Sequence, residues 1–322
     1  MLRFLIVRLL QAGVVLLVMS FLIYGLIGLM PGDPIDLMVG SNPHLTPADA
    51  ARLRAVYGLD RPIVERYLAW LGATLQGDLG YSRLFTQPVL DVLLPRLFNT
   101  LLLLGTTFIL ALAVALPLGV FAARRPHGFS DTAINLLCFA GISVPPFWLA
   151  LMFIILFAVT LGVLPAGGMA PIGGNTGLFD RLPYLVMPVM TLALVSIGGY
   201  TRFVRAAMIE QLRQDYVRTA RAKGASDSRI VWRHALRNAL IPVVTIVALE
   251  FGSLFSGALI TETMFAYLGM GKLIFDAVMG NDYNIALVGL LLAAAMTLTG
   301  NLLADVAYAA LDPRISFAEQ RT

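Results

Sequence analysis

The sequence predicts an all-α protein that crosses a membrane several times. Of its 322 residues, 58% are hydrophobic and only 13% are charged, whereas soluble globular chains carry roughly a quarter charged residues. The apolar residues are collected into long stretches, and most of the basic residues lie at the ends of those stretches. The net charge of +4 therefore does not indicate nucleic-acid binding, because the cations adjoin apolar segments and do not form a soluble basic face.

Six largely uncharged stretches are long enough for transmembrane helices, which need about 20 apolar residues each. The first is longer than the roughly 7–15 apolar residues of a signal peptide and ends in proline and glycine, so we expect it to be retained. The six stretches are Leu9–Met30, Leu97–Ala123, Ala133–Gly162, Leu182–Tyr200, Leu240–Ile260 and Ile285–Ala304.

The charges between these stretches predict the orientation of the chain. Basic residues precede the first stretch, follow the second, and crowd the segment 202–237, which holds nine Lys or Arg. The connection 31–96 is balanced by comparison, with six Arg against seven Asp or Glu. Because cytoplasmic loops carry the excess of Lys and Arg, we expect a plasma-membrane protein with both termini in the cytoplasm.

The segment 31–96 is predicted to form helices on the outer side. Thr46, Pro47 and Asp49 are typical of a helix start, and Gly58 is typical of its end. A second helix is predicted from Pro62. Its apolar stripe either lies on the membrane surface or packs on the protein's own spans. The stripe comprises Ile63, Tyr67, Trp70 and Leu71.

The segment 202–239 predicts a sharp turn between two helices. Asp215 to Lys223 has helical composition, and Gly224 is a natural left-handed cap. Ser226 is a typical N-cap for a second helix, which leads past Pro242 into the fifth stretch. Attraction to anionic lipid would explain the cations, but it would not explain a glycine turn between two capped helices. We therefore interpret the segment as a rigid lever for a soluble partner.

Sequence motifs of enzymes are absent from the chain. Gly271-Lys272 lacks the upstream glycine and the following Ser or Thr of a phosphate-binding loop, and neither H-E-x-x-H nor G-x-S-x-G occurs. The single cysteine, Cys138, allows neither a disulfide nor a paired-cysteine metal site. The three histidines lie in three different segments. We therefore expect no catalysis, no bound cofactor and no metal in this chain.

Glu250 is the only acidic residue predicted deep within a span. An ionised group at mid-bilayer costs about 2.5–3.5 kcal/mol, so Glu250 is expected to face the bundle interior or a wet cavity. It either contacts a cationic or amine part of a transported solute, as part of a translocation path, or forms a structural hydrogen bond. Both interpretations stay open.

Prolines and glycines within the stretches predict local departures from straight, widely spaced helices. Pro145-Pro146 in the third stretch predicts a bend, more plausibly a fixed kink than a gating hinge. Gly198-Gly199, Gly252 and Gly257 predict close approaches between helices.

The chain resembles the permeases of ATP-binding cassette importers, and within them the peptide/nickel/opine subfamily. Residues 215–224 (DYVRTARAKG) and 234–242 (HALRNALIP) carry most of the resemblance. Further matches run along the chain at 30–34 (MPGDP), 58–62 (GLDRP), 77–82 (GDLGYS) and 305–314 (DVAYAALDPR).

The chain departs from the family pattern at three places. Arg218-Thr219-Ala220 stands where the general loop begins Glu-Ala-Ala. The later proline falls at Pro242, with Arg237 at its earlier place, and Leu268 stands where proline is frequent. The first two departures look like features of the peptide subfamily, and the third concerns one local turn.

The resemblance implies a type I importer permease fold with six transmembrane helices. It assigns residues 1–94 to the first helix and an external segment, 95–311 to the permease domain with a coupling loop at 202–239, and 312–322 to a short cytoplasmic tail. The coupling loop would dock in a groove of a separate ATP-binding subunit. The docking residues implied are Arg218, Thr219, Ala220, Arg221, Ala222, Lys223, Gly224 and Ala225.

The resemblance also implies a multi-subunit machine in the lipid membrane. Two ATP-binding subunits would bind ATP and Mg, a second homologous permease would complete the pathway, and an extracytoplasmic binding protein would deliver the solute. Peptides or similar small polar solutes would cross by alternating access. Dipeptides, oligopeptides, glutathione, nickel complexes and opines are all compatible with the resemblance.

Two other functions remain open at this point. A stand-alone proton-coupled secondary transporter would use Glu250 as its proton site and would need inverted repeats, of which the two halves show no convincing sign. A channel subunit or membrane scaffold would need no energy coupling. Retention of an ATPase through the 202–237 loop on purification would separate the importer permease from both.

Overall fold

A computed structural model of the chain describes most of its residues. The ranges described are 2–29, 46, 48–49, 52, 60–171, 173 and 177–311. Side chains are outside the description at 2–4, 178, 242, 245–257, 304 and 307–311. Apart from one isolated bridge between Tyr81 and Pro88, the described residues form helices and the turns that connect them.

The helices are numbered in chain order, and two π-helical segments, Ile154–Thr160 and Ile230–Ala235, continue α-helices without a break. The α-helices are α1 Leu2–Gly28, α2 Ile63–Leu75, α3 Val89–Arg124, α4 Phe129–Ser143, α5 Pro146–Phe153, α6 Leu178–Leu212, α7 Asp215–Ala222, α8 Asp227–Arg229, α9 Leu236–Met264, α10 Met270–Met279 and α11 Tyr283–Leu311.

Four helices in the described part of the chain are long and apolar enough to cross a membrane, and a bent pair would make a fifth span. Helix α9 contains the predicted fifth stretch, but its side chains at 242 and 245–257 lie outside the description. The predicted count of six therefore stays a prediction. The four helices are Leu5–Gly28, Val89–Arg124, Phe179–Leu212 and Tyr283–Leu303, and the bent pair is Phe129–Ser143 with Pro146–Thr160.

The predicted third stretch is broken where we expected a kink. Helix α4 ends at Ser143, and Val144 and Pro145 adopt extended backbone with ψ of 123° and 134°. A residue before proline is disfavoured in the helical region, and this holds for Val144. Pro146 then begins α5, where its missing N–H has no helical partner to lose. The two segments meet at 95°, so the proline pair ends one helix and starts another.

The chain divides into two compact units. One comprises residues 1–97 with 273–295, and the other comprises residues 98–272 with 296–322. The predicted boundary between residues 94 and 95 stays a prediction, and the predicted tail at 312–322 lies outside the described residues.

In the first unit, α2 packs against α1. The Tyr67 side chain is buried, and its hydroxyl lies 2.8 Å from Ser20 Oγ. Its ring meets Phe21 edge-on with centroids 5.1 Å apart, and Tyr24 lies 5.7 Å from both Tyr67 and Trp70. Of the two interpretations of the apolar stripe, packing on the protein's own span is therefore confirmed.

Thr46 and Asp49 form the reciprocal cap that the sequence predicts. Thr46 N–H donates to Asp49 Oδ2 at 2.9 Å, and Asp49 N–H donates to Thr46 Oγ1 at 3.3 Å. The hydrogen bonds from Thr46 hold the pKa of the Asp49 carboxyl below its usual value. Gly58, the predicted end of this helix, lies outside the described residues.

The segment 77–82, which carries part of the resemblance, is held on the turn before α11. Asp282 is buried and accepts hydrogen bonds from Ser82 Oγ at 2.5 Å and from Leu84 N–H at 3.0 Å. Asn284 Nδ2 donates to the Tyr81 carbonyl at 2.9 Å. The aspartate thus joins two segments of the first unit that lie about 200 residues apart in the chain.

The core of the second unit is built mainly from small side chains. Gly119 lies so close to α6 that a Cβ there would be 2.6 Å from Val204 Cβ and 2.9 Å from the Thr201 carbonyl oxygen. Small residues allow such close approach of membrane helices. The buried cluster comprises Ala111, Ala115, Val120, Ala123, Tyr200, Val204, Met208, Val231, Ala235, Ala239 and Val243.

Candidate functional site

The short helix α7 ends in a Schellman motif at Gly224. Ala225 N–H donates to the Ala220 carbonyl at 3.1 Å, and Gly224 N–H donates to the Arg221 carbonyl at 3.0 Å. Gly224 has φ of +81°, a left-handed value that glycine adopts without strain. A Cβ there would meet nothing within 4 Å, so the backbone conformation is what requires glycine. The predicted helix and its glycine end are confirmed.

The second helix of the turn begins at Ser226, as predicted. Arg229 N–H donates to Ser226 Oγ at 3.4 Å, and Asp227 occupies the first turn, where an acid is favoured. The helical path then runs through the π-helical segment 230–235 into α9. We call residues 213–229 the basic turn.

Helix α7 is attached to both long helices that flank the basic turn. Its one fully buried side chain is Val217, and α7 packs against the π-helical segment 230–235 that continues into α9. On the other side, the Tyr216 hydroxyl donates to Gln211 Oε1, near the end of α6, at 3.0 Å. A force on α7 would therefore reach α6 and α9 together.

The predicted docking residues lie together on α7 and its cap. Two surface ion pairs cross this region, Arg218 with Asp215 at 3.3 Å and Arg221 with Asp227 at 3.7 Å, and all four side chains are at least 60% exposed. Such exposed pairs are worth about 0–1 kcal/mol, so the cations stay accessible to a partner. Exposed are Arg218, Thr219, Arg221, Ala222, Lys223 and Gly224, and half-buried are Ala220 and Ala225.

The remaining predicted site residue, Glu250, lies in α9, and its side chain is outside the described residues. Its part in a translocation path stays a prediction. The described residues contain no group of three or more His, Cys, Asp or Glu placed to hold a metal ion.

A buried carboxylate at Glu262 is not predicted from the sequence. Glu262 is fully buried in the second unit. Its Oε1 accepts a hydrogen bond from Thr100 Oγ1 at 2.6 Å, and its Oε2 accepts one from Lys272 N–H at 2.9 Å. A buried carboxyl group needs such hydrogen-bond partners, because an unpaired polar group is costly to remove from water.

The loop after α9 wraps around this carboxylate. Met270 N–H donates to Thr100 Oγ1 at 2.8 Å, and a Cβ at Gly269 would overlap the Glu262 carboxyl group. A Cβ at Gly271 would lie 3.0 Å from Glu262 Oε2. Gly269 and Gly271, which follow Glu262 in the sequence, are the signal that could have indicated this buried carboxyl group.

A second missed feature is the ion pair between Asp131 and Arg205, which joins α4 to α6. The Asp131 side chain is 3% exposed and the Arg205 side chain is 22% exposed. In the sequence, charges beside the spans indicate only the orientation of the chain. The pairing of residues 74 positions apart has no local signature.

Comparison with known proteins places the chain in a family. Residues 115–317 match the model of the binding-protein-dependent transport system inner membrane component, and residues 1–104 match the model of the N-terminal part of such membrane components. This chain belongs to the binding-protein-dependent transport system inner membrane component family. It is an all-helical, multi-pass membrane protein, as the sequence predicts.

Curated relatives span essentially the whole of this transport component. It is 38% identical to the oligopeptide transport system permease protein AppB of Bacillus subtilis (strain 168), covering 98% of this chain and 100% of the relative. It is 39% identical to a putative peptide permease of Brucella ovis, covering 98% and 99%. It is 36% identical to the dipeptide transport system permease protein DppB of Escherichia coli (strain K12), covering 92% and 93%. The resemblance to peptide importer permeases is confirmed, and the stand-alone transporter gains no support.

Proposed function

We propose that this transport component is the transmembrane permease subunit of an ATP-driven importer for peptides or similar small polar solutes. Relatives covering nearly the whole chain carry the names of oligopeptide and dipeptide permeases. The solute crosses by alternating access, in which the spans open first to one side of the membrane and then to the other. The chain itself makes and breaks no covalent bond.

One observation carries the mechanism, namely that α7 is a short, capped and exposed helix fixed to both α6 and the path into α9. The exposed residues of α7 and its cap form the contact with an ATP-binding subunit, and buried Val217 transmits the displacement. When ATP draws two such subunits together, the coupling helices move with them. Because α7 is attached to two long helices, these helices reorient together and do not separate.

The assembly that follows has partners on both sides of the membrane. Two ATP-binding subunits bind and hydrolyse ATP with Mg in the cytoplasm, and a second homologous permease completes the pathway. A binding protein delivers the solute from outside. The basic turn and both chain termini lie in the cytoplasm, because nine cations between residues 202 and 237 favour that side.

A single introduced cysteine tests both docking and orientation. Cys138 is buried, so an exposed new thiol reacts preferentially. Lys223→Cys, at the end of α7, is expected to crosslink to the ATP-binding subunit of the assembled importer and to resist a membrane-impermeant maleimide in intact cells. Phe179→Cys, at a residue that is 82% exposed and predicted on the outer side, is the matched control. It is expected to be labelled in intact cells and to form no such crosslink.

Maleimide labelling tests the orientation of the chain, and nucleotide-free uptake tests its dependence on ATP. Labelling of Lys223→Cys from outside would overturn the orientation. Solute uptake by the reconstituted chain without nucleotide would overturn the ATP-driven importer and would favour the proton-coupled transporter.

A further inference from the structure

A basic cavity of about 550 Å³ lies beside the basic turn in the second unit. The end of α3, the turn that follows it, the end of α6 and the basic turn itself all contribute to its walls. Four arginines line it, namely Arg124, Arg125, Arg213 and Arg221, together with the single acid Asp227. Pockets of roughly 300–1,000 Å³ are of a size that holds small molecules.

The charges of the cavity are not balanced within the described part of the chain. Arg221 pairs with Asp227 at 3.7 Å. The side chains of Arg124, Arg125 and Arg213 form no ion pair with any described residue. Three arginines, from the end of α3, the turn that follows it and the start of the basic turn, therefore line one space. Guanidinium forks match the geometry of a phosphate and bind it bidentately.

The apolar residues of the cavity indicate that such a phosphate belongs to a lipid. Phe121 and Leu212 line the cavity beside the arginines, and Phe121 is 54% exposed. Arg124 directly follows the uncharged stretch 97–123, so the cavity adjoins the end of a predicted span. Basic pockets between transmembrane helices on the cytoplasmic side bind the headgroups of anionic lipids.

We propose that this cavity binds the phosphodiester headgroup of an anionic phospholipid, such as phosphatidylglycerol, with its acyl chains running along Phe121. The lipid then lies between α3, α6 and the turn that carries α7. It would therefore contact the segment that moves when α7 is displaced. The proposal rests on the proposed function, because that function places the basic turn at the cytoplasmic leaflet, where it can meet this headgroup.

Lipid retention by the assembled importer tests the proposal. The complex is purified in detergent, mixed with phosphatidylglycerol or phosphatidylcholine, and examined by native mass spectrometry. The wild type is expected to retain phosphatidylglycerol in preference to phosphatidylcholine. Arg124→Gln with Arg125→Gln is expected to weaken retention about thirtyfold, and Arg213→Gln, in the basic turn, about fivefold, as expected from charges that each act on an anionic lipid surface.

Arg229→Gln with Arg233→Gln is the matched control. It removes two exposed arginines from the same loop, but neither lines the cavity. It is expected to weaken retention less than about threefold. Equal weakening by the two double variants would overturn the proposal, because the lipid would then respond to overall charge alone.

Two further outcomes would assign the cavity to another occupant. Displacement of the lipid by inorganic phosphate, with phosphate retained in its place, would overturn the lipid in favour of a soluble anion. Loss of the ATP-binding subunits from the Arg124→Gln, Arg125→Gln complex, with no lipid retained by the wild type, would show that an acidic side chain of that subunit fills the cavity.

ATP hydrolysis and solute uptake are measured on the same complexes. Normal coupled uptake without specific lipid retention would overturn only the lipid site. Specific retention in a complex that takes up solute without ATP would overturn the proposed function and leave the lipid site standing.

Discussion

The guanidinium of Arg205 donates two hydrogen bonds to the carboxylate of Asp131, from Nε to Oδ1 at 2.5 Å and from Nη2 to Oδ2 at 2.6 Å. His127 N–H and Asn135 Nδ2 donate to the same carboxylate at 2.8 Å and 2.7 Å. The pair therefore fixes the first turn of α4 to α6. Because the Arg205 side chain is only 22% exposed, water could replace this carboxylate as its partner only in part.

Asp131→Asn is expected to lower the free energy of unfolding by about 3 kcal/mol, because it leaves a partly buried arginine uncompensated. Chemical unfolding of the detergent-solubilised protein measures the change.

Asp215→Asn is the matched control for that prediction. It breaks the pair with Arg218, whose side chain is 79% exposed, and such surface pairs contribute little. We expect no measurable change in unfolding. Equal losses of unfolding free energy in Asp131→Asn and Asp215→Asn would show that burial of the Asp131–Arg205 pair does not contribute to stability.

Gly269→Ala is expected to destabilise the protein by about 1–3 kcal/mol, because the added methyl group overlaps the Glu262 carboxyl group. The cost is expected to fall in a Glu262→Ala background, where the overlapping atoms are gone. A double-mutant cycle of unfolding free energies measures this coupling.

Glu262→Ala is itself expected to be destabilising, since it leaves Thr100 Oγ1 and Lys272 N–H without their acceptor. The cycle still reads out the contact, because only the difference between the two backgrounds matters. Strictly additive costs would mean that the loop does not wrap around the carboxylate as described.

The basic turn could be predicted from the sequence because its signals are local. Gly224 must adopt a left-handed φ for the Schellman motif, and Ser226 caps the helix that follows, so two residues close together in the sequence determine the turn. The proline pair at 145–146 likewise marked the right place. Its effect was underestimated, since each proline disfavours the helical region in the residue before it; Val144 and Pro145 therefore both adopt extended backbone, and the helix ends.

The buried polar contacts could not be predicted, because their partners are distant in the sequence. Thr100 and Glu262 are 162 positions apart, and Ser82 and Asp282 are 200 apart. Charge patterning could place each acid only on one side of the membrane. Whether an acid at that level faces water or a ring of donors depends on tertiary packing, which the pattern of charges does not contain.

Gly198→Ala and Gly199→Ala are expected to have opposite effects on stability. A Cβ at Gly198 would lie 2.7 Å from the Cys138 carbonyl oxygen, whereas a Cβ at Gly199 would meet nothing within 4 Å. The first variant is expected to cost about 1–3 kcal/mol by forcing α4 away from α6. The second is expected to stabilise α6 by about 0.5–1 kcal/mol, because alanine loses less backbone entropy in a helix.

Unfolding measurements on the two variants side by side check this pair. Neighbouring positions on one helix share the same membrane depth, so their difference reports only the contact with α4. A loss at Gly199→Ala as large as that at Gly198→Ala would contradict the close approach.

Gly224→Pro is expected to insert into the membrane normally but to lower the amount of solute imported per ATP hydrolysed by the assembled importer. Proline fixes φ near −65°, whereas Gly224 has φ of +81°, and proline also removes the N–H that binds the Arg221 carbonyl. Gly224→Asn is the control, because asparagine tolerates the left-handed region and keeps the N–H. Proteoliposomes containing the importer give both rates, and their ratio is the measurement. If α7 is a lever, its end must be rigid, so proline should uncouple and asparagine should not; equal ratios for the two would mean that force does not pass through this turn.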